Sequence, residues 1–98
     1  MIRHIVLFSA RDPAELPVIR AALARLAAIP HARHLEVEPN AKRDGLSSEI
    51  DLVVYGEFDD FAQLELFKAH PIYAEAISIV RPRRDIRIAV DYEVPDKP

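Results

Sequence analysis

A single histidine inside an apolar run is the first chemical signal in this sequence. Residues 2–8, Ile2-Arg3-His4-Ile5-Val6-Leu7-Phe8, read as a strand with Ile2, His4, Val6 and Phe8 on one face. Arg3, Ile5 and Leu7 take the other. A desolvated imidazole stays neutral near pH 7, because burial disfavours the charged form, and a neutral imidazole is a general base. The plainer alternative is a core histidine that satisfies one hydrogen-bond partner and does nothing more. Tyr73, on a predicted helix, offers a hydroxyl as donor or weak acid. It is equally suited to packing, as are Tyr55 and Tyr92. His70 precedes Pro71 and reads as a cap at a helix junction. His31 and His34 complete the four histidines, and no two sit at i, i+4 on one helix, so no metal site is expected. Arg81, Arg83 and Arg84 form a basic cluster that reads as solvated surface rather than an anion site. Asp59 and Asp60 read as caps.

The rest of the chain limits what can surround such a site. Its 98 residues suit one domain, 1–98, and 50% of them are hydrophobic, enough for a core. A formal net charge of −3 without a long basic run argues against a nucleic-acid partner. With no cysteine, disulfides and thiolate metal sites are excluded. No apolar run reaches the roughly 18 residues that span a bilayer, so no membrane partner is expected. The first residues read as strand rather than as a cleavable leader, and a cytoplasmic location is expected. The two glycines, Gly45 and Gly56, make no phosphate-cradling loop. No cofactor is expected.

The elements that position His4 and Tyr73 follow from periodicity. Asp12-Pro13-Ala14-Glu15 has the makings of a helix start, with a cap, a first-turn proline and an acidic partner. Leu16, Ile19, Leu23 and Leu26 make one apolar stripe, and Pro30 ends the helix. Pro17, lacking an N–H, implies a looser turn before the regular helix. Residues 32–39 alternate Leu35 and Val37 with His34, Glu36 and Glu38, a one-sided strand. Residues 40–48 read as a mobile polar loop. Residues 50–58 form the next strand, with Ile50, Leu52, Val54 and Phe58 on one face. Gly56 on that face marks a bulge or a close approach. A short helix carries Phe61, Leu64 and Phe67, and a second runs from Pro71 to about residue 80. Residues 86–94 form a last strand, with Ile86, Ile88, Val90, Tyr92 and Val94 on one face and Arg87, Ala89, Asp91 and Glu93 on the other.

The order β-α-β-β-α(α)-β is the split βαβ, or ferredoxin-like, α+β arrangement. Its helices cover one sheet face. The other face is too apolar to meet water, and two such sheets packed together would bury both, which implies a homodimer.

Four segments together resemble a known family. They are Ile2-Arg3-His4-Ile5-Val6-Leu7-Phe8, Glu57-Phe58-Asp59-Asp60, Ala69-His70-Pro71 and Val90-Asp91-Tyr92-Glu93. In this order and spacing they look like the stress-responsive dimeric A/B barrel domain (Dabb). That resemblance implies a ferredoxin-like subunit and a dimeric α+β barrel. Plant polyketide cyclase members use the barrel interior for an aldol-type ring closure. The histidine of their first strand matches His4. The cyclase-like members have a second histidine where this chain has Tyr73, and a tyrosine where it has Phe67. The tyrosine–histidine pair of the cyclases is therefore missing.

Two functions follow as expectations. One is a stress-associated dimeric barrel that binds a small apolar or aromatic ligand in its barrel cavity, lined by His4, Val6, Phe8, Phe67 and Tyr73, without chemistry of its own. The other is a cofactor-free cyclase or isomerase, with His4 abstracting a proton beside a carbonyl and Tyr73 polarising the oxygen. A heme- or oxygen-linked monooxygenase on a related barrel is weaker, since no residue argues for heme ligation.

Overall fold

The computed structural model describes residues 1–95, so the last three residues of the expected domain lie outside it. Four strands and three α-helices follow one another in the expected order: β1 (Ile2–Ala10), α1 (Leu16–Ala24), β2 (His34–Pro39), β3 (Leu52–Phe58), α2 (Phe61–Ala69), α3 (Pro71–Val80) and β4 (Arg84–Glu93). The sheet order is β2-β3-β1-β4 and every pairing is antiparallel. This is a ferredoxin-like α+β fold.

The helices pack on one sheet face. The alternating residues Ile2, Val6 and Phe8 of β1 and Leu52, Val54 and Phe58 of β3 are buried there. They join Ile19, Leu23 and Leu26 of the first helical segment with Leu64, Phe67, Ala76 and Val80 in one core. Phe61, expected on the same stripe as Leu64 and Phe67, is instead half exposed. It stands at the first position of α2, beyond the turn that reaches the sheet.

Local chemistry explains the boundaries. Asp12 caps a 3-10 turn, Pro13–Glu15, by accepting the Ala14 N–H, and α1 follows directly. Pro17 falls in the first turn of α1, where a missing N–H costs no intrahelical bond. Asp60 caps α2 by accepting the Gln63 N–H at 2.9 Å. His70 closes α2 and opens α3. Its extended backbone suits the residue before a proline, and its Nδ1 accepts the Ile72 N–H at 3.1 Å. Asn40 organises the polar loop, donating to the Ile50 carbonyl at 2.8 Å and accepting the Lys42 N–H at 3.0 Å. Asp51 ties that loop to β1 by accepting the Ala10 N–H at 2.9 Å and a Lys42 ammonium proton at 2.7 Å.

Gly56 proves to be a close approach. The β1–β3 and β2–β3 registers run through it unbroken, opposite His4 and Leu35. A Cβ there would lie 2.9 Å from the Phe58 ring and 3.2 Å from the Leu35 side chain. The irregularity lies in β4 instead. Phe8 pairs with Arg87 and Ala10 with Arg84, so two steps along β1 match three along β4. That is a β-bulge, and the Ser9 hydroxyl accepts the Ile86 N–H beside it at 2.9 Å.

The second sheet face carries no helix. Ile5, Leu7, Val53 and Tyr55 are half-buried on it, and Ile88 and Val90 are each 50% exposed.

Candidate functional site

The alternation of β1 sends His4, Val6 and Phe8 toward the helices, where a cavity of about 300 Å³ opens between sheet and helix layer. Tyr73, Ala76, Ile77 and Val80 of α3 face it at the i, i+3, i+4, i+7 spacing of one helix face. Phe67 and Val54 complete its apolar wall. All five residues expected at a ligand cavity, His4, Val6, Phe8, Phe67 and Tyr73, therefore line this one space. Its location differs from the expected barrel interior. It lies inside one subunit, on the helix side of the sheet, because the parity of β1 aims His4 away from the uncovered face.

His4 is 2% exposed, and its Nδ1 lies 2.5 Å from an Asp91 carboxylate oxygen. Asp91 stands directly opposite His4 in the β1–β4 register, so backbone pairing alone brings the two side chains to one face. The carboxylate accepts only from a protonated Nδ1, which fixes the neutral ring as the Nδ1–H tautomer and leaves a lone pair on Nε2. No hydrogen bond to Nε2 is found among the described residues. Burial pushes the His4 pKa down, and this outweighs the upward effect of the Asp91 hydrogen bond and charge; Lys68 and Arg87 push it down further. The site thus holds a neutral, oriented imidazole beside a carboxylate, an arrangement suited to taking a proton.

His4 and Tyr73 do not touch as a pair. A chain of edge-to-face rings runs between them, from His4 to Phe58 at 6.1 Å, Phe58 to Phe67 at 5.0 Å and Phe67 to Tyr73 at 5.5 Å. Phe67 acts as a packing ring in this chain and carries no hydroxyl. The Tyr73 hydroxyl has no hydrogen-bond partner among the described residues. The other histidines lie elsewhere: His31 is 3.3 Å from the Gln63 side-chain oxygen, and His34 is 3.4 Å from a Glu36 carboxylate oxygen. Among the described residues no group of three or more His, Cys, Asp or Glu could hold a metal ion. No helix there is long and apolar enough to cross a membrane.

Asp91 escaped the sequence reading, although it was placed on the polar face of β4. The signal was the antiparallel pairing of β1 with β4, which joins residues 87 positions apart. Arg87 and the cavity-facing place of Arg84 depend on the same β1–β4 pairing, and Arg81 stands in the turn after α3, where no local pattern marks it as cavity-facing. Among the described residues, only Arg83 of the expected basic cluster is engaged by a carboxylate, donating to Glu15 at 3.0 Å.

The burial of His4 has a consequence for stability. The unfolded chain takes up its proton near the ordinary histidine value, about 6.5, and the folded chain only at lower pH. Between those values the unfolded state binds more protons, so this contribution is complete above about pH 6.5 and lost as pH falls. The urea midpoint should drop between pH 7.5 and 5, and His4→Leu should flatten that drop. An equally steep fall in the variant would remove His4 as the cause.

Comparisons with known proteins agree with the fold. The model of the "Stress responsive A/B Barrel Domain" family matches residues 2–94. No curated protein matches in sequence. A dimeric ferredoxin-like protein of unknown function from Bacteroides fragilis is 30% identical, with a TM-score of 0.79 and 95% of each chain covered. A dimeric ferredoxin-like protein from Thermobifida fusca is 27% identical, with a TM-score of 0.80, covering 95% of this chain and 90% of that one. A Dabb family protein from Mesorhizobium loti is 23% identical, with a TM-score of 0.79, covering 96% of this chain and 95% of that one. An antibiotic biosynthesis monooxygenase, 13% identical at a TM-score of 0.79 over 97% of this chain and 99% of that one, shares the fold alone.

Proposed function

The chain belongs to the stress-responsive A/B barrel domain family, and from that premise we propose that it is a homodimer whose subunits each bind a small, largely apolar molecule between sheet and helices. The observation that carries the binding reading is the cavity itself: nine apolar side chains line it together with one buried imidazole, Tyr73 and three arginines, and at about 300 Å³ it is at the small end of ligand sites. Pairing through the uncovered sheet face is supported by the apolar row Ile5, Leu7, Val53, Ile88 and Val90. The Arg3 Nε is buried there without an acceptor among the described residues, a group that a second copy could satisfy. The Bacteroides fragilis and Thermobifida fusca relatives are themselves described as dimeric.

Binding is tested with 2-naphthol, an apolar bicyclic probe. The chain has no tryptophan, so naphthyl emission is read against tyrosine alone. Saturable binding is expected, and Ala76→Leu, which puts a larger side chain into the cavity wall, should weaken it about tenfold or more. Undiminished binding in that variant would place the probe elsewhere.

A second reading, proton transfer at a carbon beside a carbonyl, is favoured by the Asp91–His4 contact at 2.5 Å. A proton would pass from carbon to the His4 Nε2, with the positive charge steadied by Asp91, and the Tyr73 hydroxyl is the available donor to the carbonyl oxygen. The reaction is read as deuterium exchange into the α-position of 2-tetralone by NMR. His4→Gln should slow it by about 10²-fold or more, as removal of a general base does, and Asp91→Asn by less. Equal rates in the wild type and His4→Gln would end this reading.

A further inference from the structure

The cavity wall carries three arginines, Arg81, Arg84 and Arg87, and no acidic residue. Arg81 follows α3 and Arg84 begins β4, so the cations gather where α3 turns into the edge strand. Arg81 and Arg87 are exposed and Arg84 is half-buried, whereas His4 at the far end is buried. The cavity is therefore polarised, with an apolar, imidazole-bearing interior and a cationic mouth.

Two observations separate this cluster from ordinary surface charge. First, none of the three has an ion-pair partner among the described residues; the nearby acid Glu15 is taken by Arg83, and Arg84 donates only to the Asp85 carbonyl at 3.3 Å. Second, Arg84 and Arg87 are three positions apart and on a regular strand would point to opposite faces. The bulge between the Phe8–Arg87 and Ala10–Arg84 pairs adds one residue to β4 and puts both on the cavity side. Guanidinium groups converging at one mouth present paired N–H donors that match the two oxygens of a carboxylate or phosphate.

We infer that the ligand of this cavity carries an oxyanion, carboxylate or phosphate, held at the mouth by Arg84 and Arg87 with Arg81 beside them, while its apolar body extends inward past Val6 and Phe67 toward His4. The inference rests on the cavity being a ligand site, as proposed above. The span fits a small amphiphile: Phe8 and His4 are four residues apart on β1, about 13 Å at the strand rise, and an arginine side chain reaches back along part of that distance. An anion at the mouth also orients the ligand, so that the end presented to the imidazole is the uncharged one.

The test compares one ring system with and without the anion: 2-naphthol, 2-naphthoate and 2-naphthyl phosphate, titrated by fluorescence against the wild type and the Arg84→Gln/Arg87→Gln variant. At least one anionic probe should bind about tenfold or more tighter than 2-naphthol, with an advantage that shrinks as salt rises. Whichever anion gains more identifies the oxyanion. In the double variant the advantage should vanish, the anionic probes falling to the affinity that 2-naphthol has for the same variant. Arg81→Gln, an exposed position beyond α3, provides a second variant with a smaller expected loss should the double variant fold poorly by circular dichroism. Equal affinity for charged and neutral probes, or an advantage that survives both variants, overturns the inference and leaves the binding site standing. Binding of none of the three overturns both.

Discussion

Phe58→Ala is expected to lower the melting temperature by on the order of 20 °C, measured at fixed protein concentration. Phe58 is fully buried and packs edge-to-face on both His4 and Phe67. Truncating a buried phenylalanine costs about 3–5 kcal/mol, from lost transfer energy and the void left behind. A domain of this length has roughly 5–15 kcal/mol in total, so the loss is a large share. Refilling is restricted, because Gly56 beside the gap has no side chain to contribute and Leu35 is anchored on β2. The gap borders His4, so water entering it would relieve the desolvation that holds the imidazole neutral. The His4 titration, followed by NMR, should move up toward the ordinary histidine value. A drop of less than about 5 °C would mean that the ring cluster is not the centre of the core.

Val90→Asp should convert the proposed dimer to monomer at micromolar concentration, with little effect on the subunit fold. Val90 pairs with Ile5 across β1 and β4 on the uncovered face and is 50% exposed in the subunit, so a carboxylate there is tolerated while it meets water. In a two-fold interface the substitution enters twice, bringing two unpaired carboxylates into apolar surroundings. Several kcal/mol of lost association weakens the dimer by a hundredfold or more. Light scattering should report twice the 11.1 kDa chain mass for the wild type and the chain mass for the variant. Circular dichroism should be unchanged. A variant that stays dimeric would move the interface to another surface.

Much of the fold was legible because alternation and helical stripes are local signals. The two faces of β1, the caps at Asp12 and Asp60 and the proline-set junction at His70 each follow from a few neighbouring residues, whereas the choice between a bulge and a close approach at Gly56 needed the cross-strand neighbour Leu35. His4 and Tyr73 were expected at one cavity through the family resemblance; strand parity tells which residues share a face with His4 but not which face the helices cover. What stayed hidden depends on register. Asp91 looks like any polar residue of an edge strand until β4 is laid antiparallel on β1 with position 91 against position 4. Arg84 and Arg87 have the wrong spacing to share a face unless β4 holds an extra residue, and nothing in the local pattern announces that residue. The side of the sheet on which the cavity opens was likewise a question of which face the helices take.

β4 has a single neighbour in the sheet, β1, yet each of its sides serves a different purpose. One side supplies Arg84, Arg87 and Asp91, and the other supplies Ile88 and Val90. An edge strand is the part of a sheet most easily loosened, since it is held along one side only. In the dimer proposed here a second copy would clamp β4 from outside, and a ligand would clamp it from within. Both draw on the same local opening equilibrium, so each would strengthen the other by an equal factor. Dilution of the protein and depletion of its ligand would then be two ways of sending the same message.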